Sequence, residues 1–296
     1  MNKQSLSVVL ATKNEEKNIG ECLESVKGLA EEIIVFDEDS IDDTKKIAKK
    51  YGAKTFTYKH EINFHETKQK AIERATCEWV LQLDADERVS KSLAEEIRSV
   101  IKGDHEDYIK KISGSEDFVK KSSLFSRHQT LIESRQASLG KQTGEIVAYF
   151  VPRLNFFLGK PLLYAGVYPD GVIRLFRNGK AHLPAKTVHE LMEVDGKIGW
   201  LYSDLLHFES PTLSRYLERA NRYTDITAAE FKEKFKSETD IFKLLHYSFF
   251  KPLFVFVNLY LLHKGFLDGM RGFIWSAYSA LHYPIAYFKY YQEVKS

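Results

Sequence analysis

Cysteine is scarce. Only Cys22 and Cys77 occur among 296 residues, and neither stands at the short spacing of a thiolate-held metal. The N-terminus lacks the charged and apolar leader of a secretory signal, so both are expected to be reduced thiols in the cytosol, with packing roles. Charge of one sign is lacking too. The 43 basic and 41 acidic residues leave a net charge of +2, which gives no sign of a nucleic-acid-binding surface. No Gly-x-Gly-x-x-Gly follows the first apolar run, which disfavours a nicotinamide or flavin dinucleotide site. A Gly-x-x-x-x-Gly-Lys-Ser/Thr loop is absent as well, which disfavours P-loop phosphate chemistry.

What the chain does carry is a regular alternation over residues 1–88. Leu6 to Ala11, Ile33 to Phe36, Thr55 to Tyr58 and the run from Trp79 read as strands. Between them, Ile19 to Val26, Asp43 to Tyr51 (closed by Gly52) and Glu66 to Ala75 have helical spacing. Right-handed crossovers then predict a mostly parallel sheet with helices on both faces. The stretch Trp79-Val80-Leu81-Gln82-Leu83-Asp84-Ala85-Asp86-Glu87 anchors this reading, because a buried strand ends abruptly in three carboxylates. Ligands bind at the carboxyl ends of strands in such sheets. Asp84 and Asp86 can hold a hard divalent cation that takes its remaining ligands from water and a substrate phosphate. On spacing alone, the same acids equally suit the positive end of the following helix, which Ser90 or Ser92 would cap.

Three polar strand ends converge on one edge: Thr12-Lys13-Asn14-Glu15-Glu16, Asp37 through Thr44, and Asp84-Ala85-Asp86. Together with Ile33-Ile34-Val35-Phe36-Asp37 and Leu83-Asp84-Ala85-Asp86-Glu87, they resemble the nucleotide-sugar domain of family 2 glycosyltransferases. Further motifs are similar to those of the branch containing lipopolysaccharide core β-glucosyltransferases: Asn155-Phe156-Phe157-Leu158-Gly159, Tyr168-Pro169-Asp170, Arg174-Leu175-Phe176-Arg177, Val188-His189-Glu190 and Gly265-Phe266-Leu267-Asp268-Gly269. The resemblance implies a Rossmann-like GT-A fold followed by a C-terminal helical, membrane-associating region. It divides the chain into a nucleotide-sugar half (1–102), a polar insertion (103–147), an acceptor-side half (148–210) and the helical region (211–296).

The same resemblance implies roles for residues. Thr12, Asn14, Glu15, Asp37, Lys68 and Asp84 would bind the donor, a UDP-sugar, with Lys68 neutralising phosphate. Asp86 would bind Mg2+ or Mn2+ directly, with Asp84 near the ribose or sugar. Asp170 is the first candidate for the base that takes the acceptor proton and Glu190 the second. Arg174 and Arg177 are expected on one strand face, gripping phosphate or an anionic acceptor. Where family members usually have Asp-Ser-Gly-Ser-Thr-Asp, this chain has Asp37-Glu38-Asp39-Ser40-Ile41-Asp42, which loses the residue best suited to positive φ. Other readings of these residues stand beside the functional ones: turn aspartates, a solvated lysine, arginines on an outer strand face.

The segment Gly103 to Glu145 is polar and reads as loop or loosely held helix. After Ile241 the character changes, since 16 of the 39 aromatic residues fall in the last 56 positions, with six basic against two acidic residues. Helices lying in the inner-leaflet interface are expected. A hydrophobic dimer interface and a single membrane span are the alternatives for the same surface. The expected protein is a peripheral enzyme on the cytoplasmic face of the inner membrane that moves a hexose, glucose by resemblance, to a membrane glycolipid such as lipopolysaccharide inner core. Transfer to a peptide or polyprenyl phosphate is the second enzymatic reading. A catalytically silent nucleotide-sugar-binding assembly protein is the reading from another class.

Overall fold

The structure is a computed structural model and describes residues 5–59, 64–135, 140–184, 192–236 and 238–295. Its first half follows the apolar pattern of the sequence. Strands β1 (Leu6–Thr12), β2 (Glu32–Asp37), β3 (Lys54–Thr57) and β4 (Trp79–Leu83) alternate with helices α1 (Ile19–Ser25), α2 (Thr44–Lys50) and α3 (Phe64–Glu73). β1 and β4 are buried along their whole length, as strands covered on both faces must be. The four pair in the order β3-β2-β1-β4, all parallel. One sheet face is covered by Ile19, Cys22 and Leu23 of α1, Ala48 of α2 and, further on, Leu93 and Ile97. Ala71 and Ile72 of α3 cover the other.

Beyond β4 the sheet changes character. After the short β5 (Glu87–Val89), helix α4 (Lys91–Lys102) begins at Ser90, whose Oγ accepts from Leu93 N, and ends at Gly103 in the left-handed conformation. The polar segment that follows is helical: α5 (His105–Ile112) and α6 (Glu116–Arg135). Then come β6 (Gly140–Phe157), β7 (Lys160–Pro161), β8 (Asp170–Arg177), β9 (Ala181–His182), β10 (Glu193–Trp200) and β11 (Leu205–Ser210). β8 runs antiparallel to β4 and to β6, β5 pairs antiparallel with β11, and β6 pairs parallel with β10, so the uniformly parallel order of the first four strands does not continue.

The chain forms two compact units, one from residues up to Arg153 together with Pro169–His207, the other from Leu154–Tyr168 and Phe208–Ser296. In the second unit, α7 (Leu213–Phe235) starts at Thr212, whose hydroxyl accepts from Arg215 N. The helical run over 241–262 comprises α8 (Ile241–Leu245), a π-helical turn over 246–250, α9 (Lys251–Val257) and a second π-helical turn over 258–262, and α10 (Met270–Lys295) closes the chain. Ala228 and Phe231 of α7 pack on Ala286, Tyr287 and Tyr290 of α10. By length and composition the run 241–262 could cross a membrane, and none of its most apolar window is buried in the protein.

Candidate active site

The first two strand ends are tied together. Thr12 and Asp37 face each other across the β1–β2 register and are fully buried. Thr12 Oγ1 donates to Asp37 Oδ2 at 3.3 Å, and Ser40 N donates to Asp37 Oδ1 at 2.9 Å. The loops beyond them are laced crosswise. Asn14 N donates to Ser40 Oγ and Ile41 N donates back to Asn14 Oδ1, at 2.8 and 3.0 Å. Glu15 N donates to Thr44 Oγ1, and Asn18 Nδ2 donates to the Glu15 carboxylate. Asp39, standing where family members have glycine, takes φ +51°. The left-handed turn is therefore kept without glycine, which a short polar side chain tolerates better than other L-residues.

The end of β4 is the centre of a chain of alternating charges. Asp84 accepts from Lys68 Nζ and from Arg174 Nη2, each at 2.6 Å. Arg174 also reaches Glu87 at 2.7 Å and the side-chain oxygen of Gln82. Glu87, fully buried, lies 3.5 Å from Arg153, and Arg153 pairs with Asp170 at 2.6 Å. Lys68, Asp84, Arg174, Glu87, Arg153 and Asp170 thus form one continuous ion network with three charges of each sign. Burial alone would raise the Asp84 carboxyl, but the Arg174 and Lys68 charges outweigh it and hold it well below the usual carboxylate range. Beneath this loop, burial pushes the Cys22 thiol well up, and its Sγ donates to Asp84 O. Cys22 and Cys77 are both free, and the role of Cys22 is packing.

A register slip aims the central arginine. Phe150 pairs with Ile173 and Tyr149 with Leu175, which leaves Arg174 as the extra residue of a β-bulge. The bulge turns its guanidinium to the acids of β4 and β5. Arg177 goes elsewhere, pairing with Glu78 and lying over the Trp79 ring. The expectation that both arginines share a face is therefore corrected: the bulge breaks regular alternation at Arg174, and the two grip different partners. At the start of β8, Gly171 lies so close under the Trp200 ring that a Cβ there would come within 2.4 Å of it, and Gly171 N donates to His128 Nε2 of α6. The polar insertion thus packs beside Asp170.

Asp86 lies apart from the network. Its Oδ2 is 3.6 Å from Nε2 of His207, on β11, which pairs with β5 directly beside the acidic turn. A carboxylate and an imidazole on adjacent strand ends form a partial donor set for Mn2+ or Mg2+, and a diphosphate and water would complete it. Both Asp84 oxygens, by contrast, hold cationic side chains. Among the described residues no three His, Cys, Asp or Glu side chains gather as a complete metal cage. The donor set therefore fits a cation shared with a phosphorylated ligand. Buried Nε–H groups of Arg153 and Arg174 find no acceptor among the described residues, so the cluster has donor capacity left for anionic oxygen.

Of the residues expected at a site, the structure brings Lys68, Asp84, Arg174 and Asp170 into one network, sets Asp86 beside it, and gathers Thr12, Asn14, Glu15 and Asp37 at the neighbouring strand ends. Glu190 lies outside the described residues. Sequence reasoning assigned no role to Glu87, Arg153 or His207. Glu87 was visible as the third acid after β4, whereas the other two carry no local signal.

A parallel β3-β2-β1-β4 sheet with acids at the end of its fourth strand, followed by a half of mixed strand direction and a helical region, is the plan of a GT-A glycosyltransferase. The chain belongs to glycosyl transferase family 2, whose family model matches residues 7–156. It is 25% identical to the lipopolysaccharide core biosynthesis glycosyltransferase LpsC of Rhizobium meliloti (strain 1021), over 98% of this chain and 93% of that one. Among solved structures, S. aureus TarS 1-349 in complex with UDP-GlcNAc is similar at 14% identity and TM-score 0.45, covering 98% of this chain and 90% of that one. Glucosyl-3-phosphoglycerate synthase from Mycobacterium tuberculosis, in complex with Mn2+ and UDP-glucose, is similar at 23% identity and TM-score 0.29, covering 33% of this chain and 40% of that one.

Proposed function

We propose that this chain is an inverting, cation-assisted hexosyltransferase that moves glucose from a UDP-sugar to a membrane glycolipid of the lipopolysaccharide inner-core type. It would work as a peripheral enzyme on the cytoplasmic face of the inner membrane. The observation that carries the reading is the ion network joining the donor-side acid Asp84 to the acceptor-side acid Asp170, with the Asp86–His207 pair beside it. The nearly full-length similarity to LpsC supports the choice of acceptor.

In this reading, Asp86 and His207 would hold a divalent cation, which would supply positive charge beside the leaving diphosphate. Lys68 and Arg174 keep Asp84 ionised and oriented towards the donor. Thr12, Asn14, Glu15 and Asp37 shape the nucleotide end through loops that are already ordered. Asp170 takes the acceptor hydroxyl proton as the oxygen attacks the anomeric carbon opposite the departing UDP. Arg153, paired with Asp170 at 2.6 Å, fixes its direction. Exposed Phe249, Phe250, Leu253 and Phe254 on the helical run after Ile241, with Lys251 among them, support attachment in the plane of an interface.

The test is calorimetric titration of the purified protein with UDP, with and without Mn2+. Asp86→Ala is expected to abolish the Mn2+-dependent part of binding. Asp170→Asn should bind UDP as the parent does, yet fail to transfer glucose from UDP-glucose to extracted core glycolipid. Transfer surviving in Asp170→Asn would remove that residue as the base. Absence of UDP binding by folded protein would remove the donor assignment.

A further inference from the structure

The segment leading into Asp170 is locked to the turn that follows the apolar helical run. Both lie in the second unit. The Asp268 carboxylate accepts from Leu163 N at 3.3 Å and Tyr164 N at 2.8 Å, and Ala165 N donates to His263 O at 2.9 Å. Gly166, at φ +70°, sits against Leu259 and His263, while Gly265 is buried against Ala165 and Ser276. Ala165 and Lys264 both take left-handed φ values, so the loop and the turn are folded tightly onto each other.

The surface of this paired element is apolar and basic. Leu163 is 48% exposed, Leu262 70%, Leu267 53% and Met270 71%. Lys160 and Lys264 are exposed beside them, and Arg271 is half-buried. Asp268 is the only acidic residue between Ile241 and Gln292, and its two oxygens are spent on the loop backbone. An apolar patch with a basic rim and no spare acid suits anionic headgroups over acyl chains, whereas a protein partner would need acids to meet these lysines.

We infer that the loop Leu162–Tyr168 and the turn 261–270 form one lipid-entering tip, held together by Asp268, through which the enzyme meets its acceptor in an anionic bilayer. The inference rests on the membrane-acceptor reading above and adds which part enters the lipid and what it governs. The loop ends at Tyr168, two residues before Asp170, so the segment that touches lipid is the one that runs into the candidate base.

The experiment places an environment-sensitive NBD label on Leu163→Cys in a Cys77→Ser background, where the remaining thiol, Cys22, is fully buried. Vesicles of phosphatidylglycerol and phosphatidylethanolamine are compared with pure phosphatidylcholine, with flotation as the measure of binding. The labelled protein is expected to float with the anionic vesicles and to show a blue-shifted, brighter emission. Met270→Glu should weaken flotation about tenfold or more. Asp268→Ala should still float through the exposed helical run yet lose the blue shift at position 163. UDP titration of every variant checks folding and keeps the donor reading separate. Flotation with a water-like label, or a blue shift that survives Asp268→Ala, would overturn the inference. So would failure to float by protein that binds UDP and is dimeric by light scattering, since the patch would then be a subunit interface.

Discussion

Replacing Arg174 with Met tests the ion network most directly. Met keeps the aliphatic stem out to about the Nε position and removes the guanidinium head, so the charge and its hydrogen bonds are lost while much of the stem packing stays. Arg174 is 7% exposed and bonds Asp84 and Glu87 at once, and Glu87 is fully buried. Removing one partner of a buried pair costs about 3–5 kcal/mol because a charge is left uncompensated. Arg153 remains 3.5 Å from Glu87 and Lys68 stays on Asp84, so the lower end, about 3 kcal/mol, is expected. With a urea slope of roughly 2–3 kcal/mol per molar, the unfolding midpoint of the first unit should fall by about 1–1.5 M. The cost should also depend on pH. Asp84 has a lowered folded pKa, so its stabilising contribution is present above the unfolded value near 3.9 and is lost as pH falls through the lower, folded one. Once Arg174 is gone, Asp84 protonates more readily in the folded state. The gap between parent and variant should therefore be full at pH 7 and narrow as the pH falls below about 4. A cost below about 1 kcal/mol at pH 7, or one that does not narrow below about pH 4, would refute the assignment of this network as a buried, mutually compensating set.

Three other outcomes follow from the same geometry. His207→Ala should weaken UDP binding about tenfold or more in Mn2+ and leave binding without metal unchanged, as read by calorimetry. Asp39→Ala should destabilise by about 1 kcal/mol and Asp39→Gly by less than about 0.5 kcal/mol in urea unfolding, because only alanine pays the left-handed penalty without polar relief. Burial opposes ionisation of Glu32, but the Ser7 hydroxyl, Thr76 N–H and hydroxyl, and Lys54 overcome it and lower the pKa to about 2. Its stabilising contribution is thus complete above the unfolded value and lost as pH falls towards 2. Glu32→Gln should cost about 1–2 kcal/mol at neutral pH and almost nothing near the folded pKa, measured as thermal midpoints across pH.

The strands and helices of the first half were readable because each is a short apolar run closed by glycine or a polar strand end. β4, with its three following acids, is the plainest case. Where reading failed, the missing information lay far away in the chain. Arg174 meets Asp84 and Glu87 across 90 and 87 residues, and no local pattern announces the bulge that sends it there. Period-two alternation fails at Arg174, so no alternating pattern decides whether it shares a face with Arg177. His207 looked like a lone histidine because its relation to Asp86 exists only once β11 pairs with β5. The insertion read as loop or loosely held helix because α6 commits few apolar side chains to packing, chiefly Phe125, which stacks on Trp200. Asp39 shows the opposite kind of limit, since a non-glycine residue takes the left-handed φ that the glycine of the motif would suit.

The lacing of the loops after β1 and β2 has an evolutionary consequence. Asn14 gives its N–H to Ser40 and its side-chain oxygen to Ile41 N, while Glu15 depends on Thr44. Two motifs some 26 residues apart therefore behave as one inherited part. Among relatives, substitutions at position 14 should be accompanied by substitutions at 40, and those at 44 should track the conformation at 15. A chimera that imports one loop from a relative would leave donors and acceptors unmatched at the strand ends, whereas importing both would keep them matched.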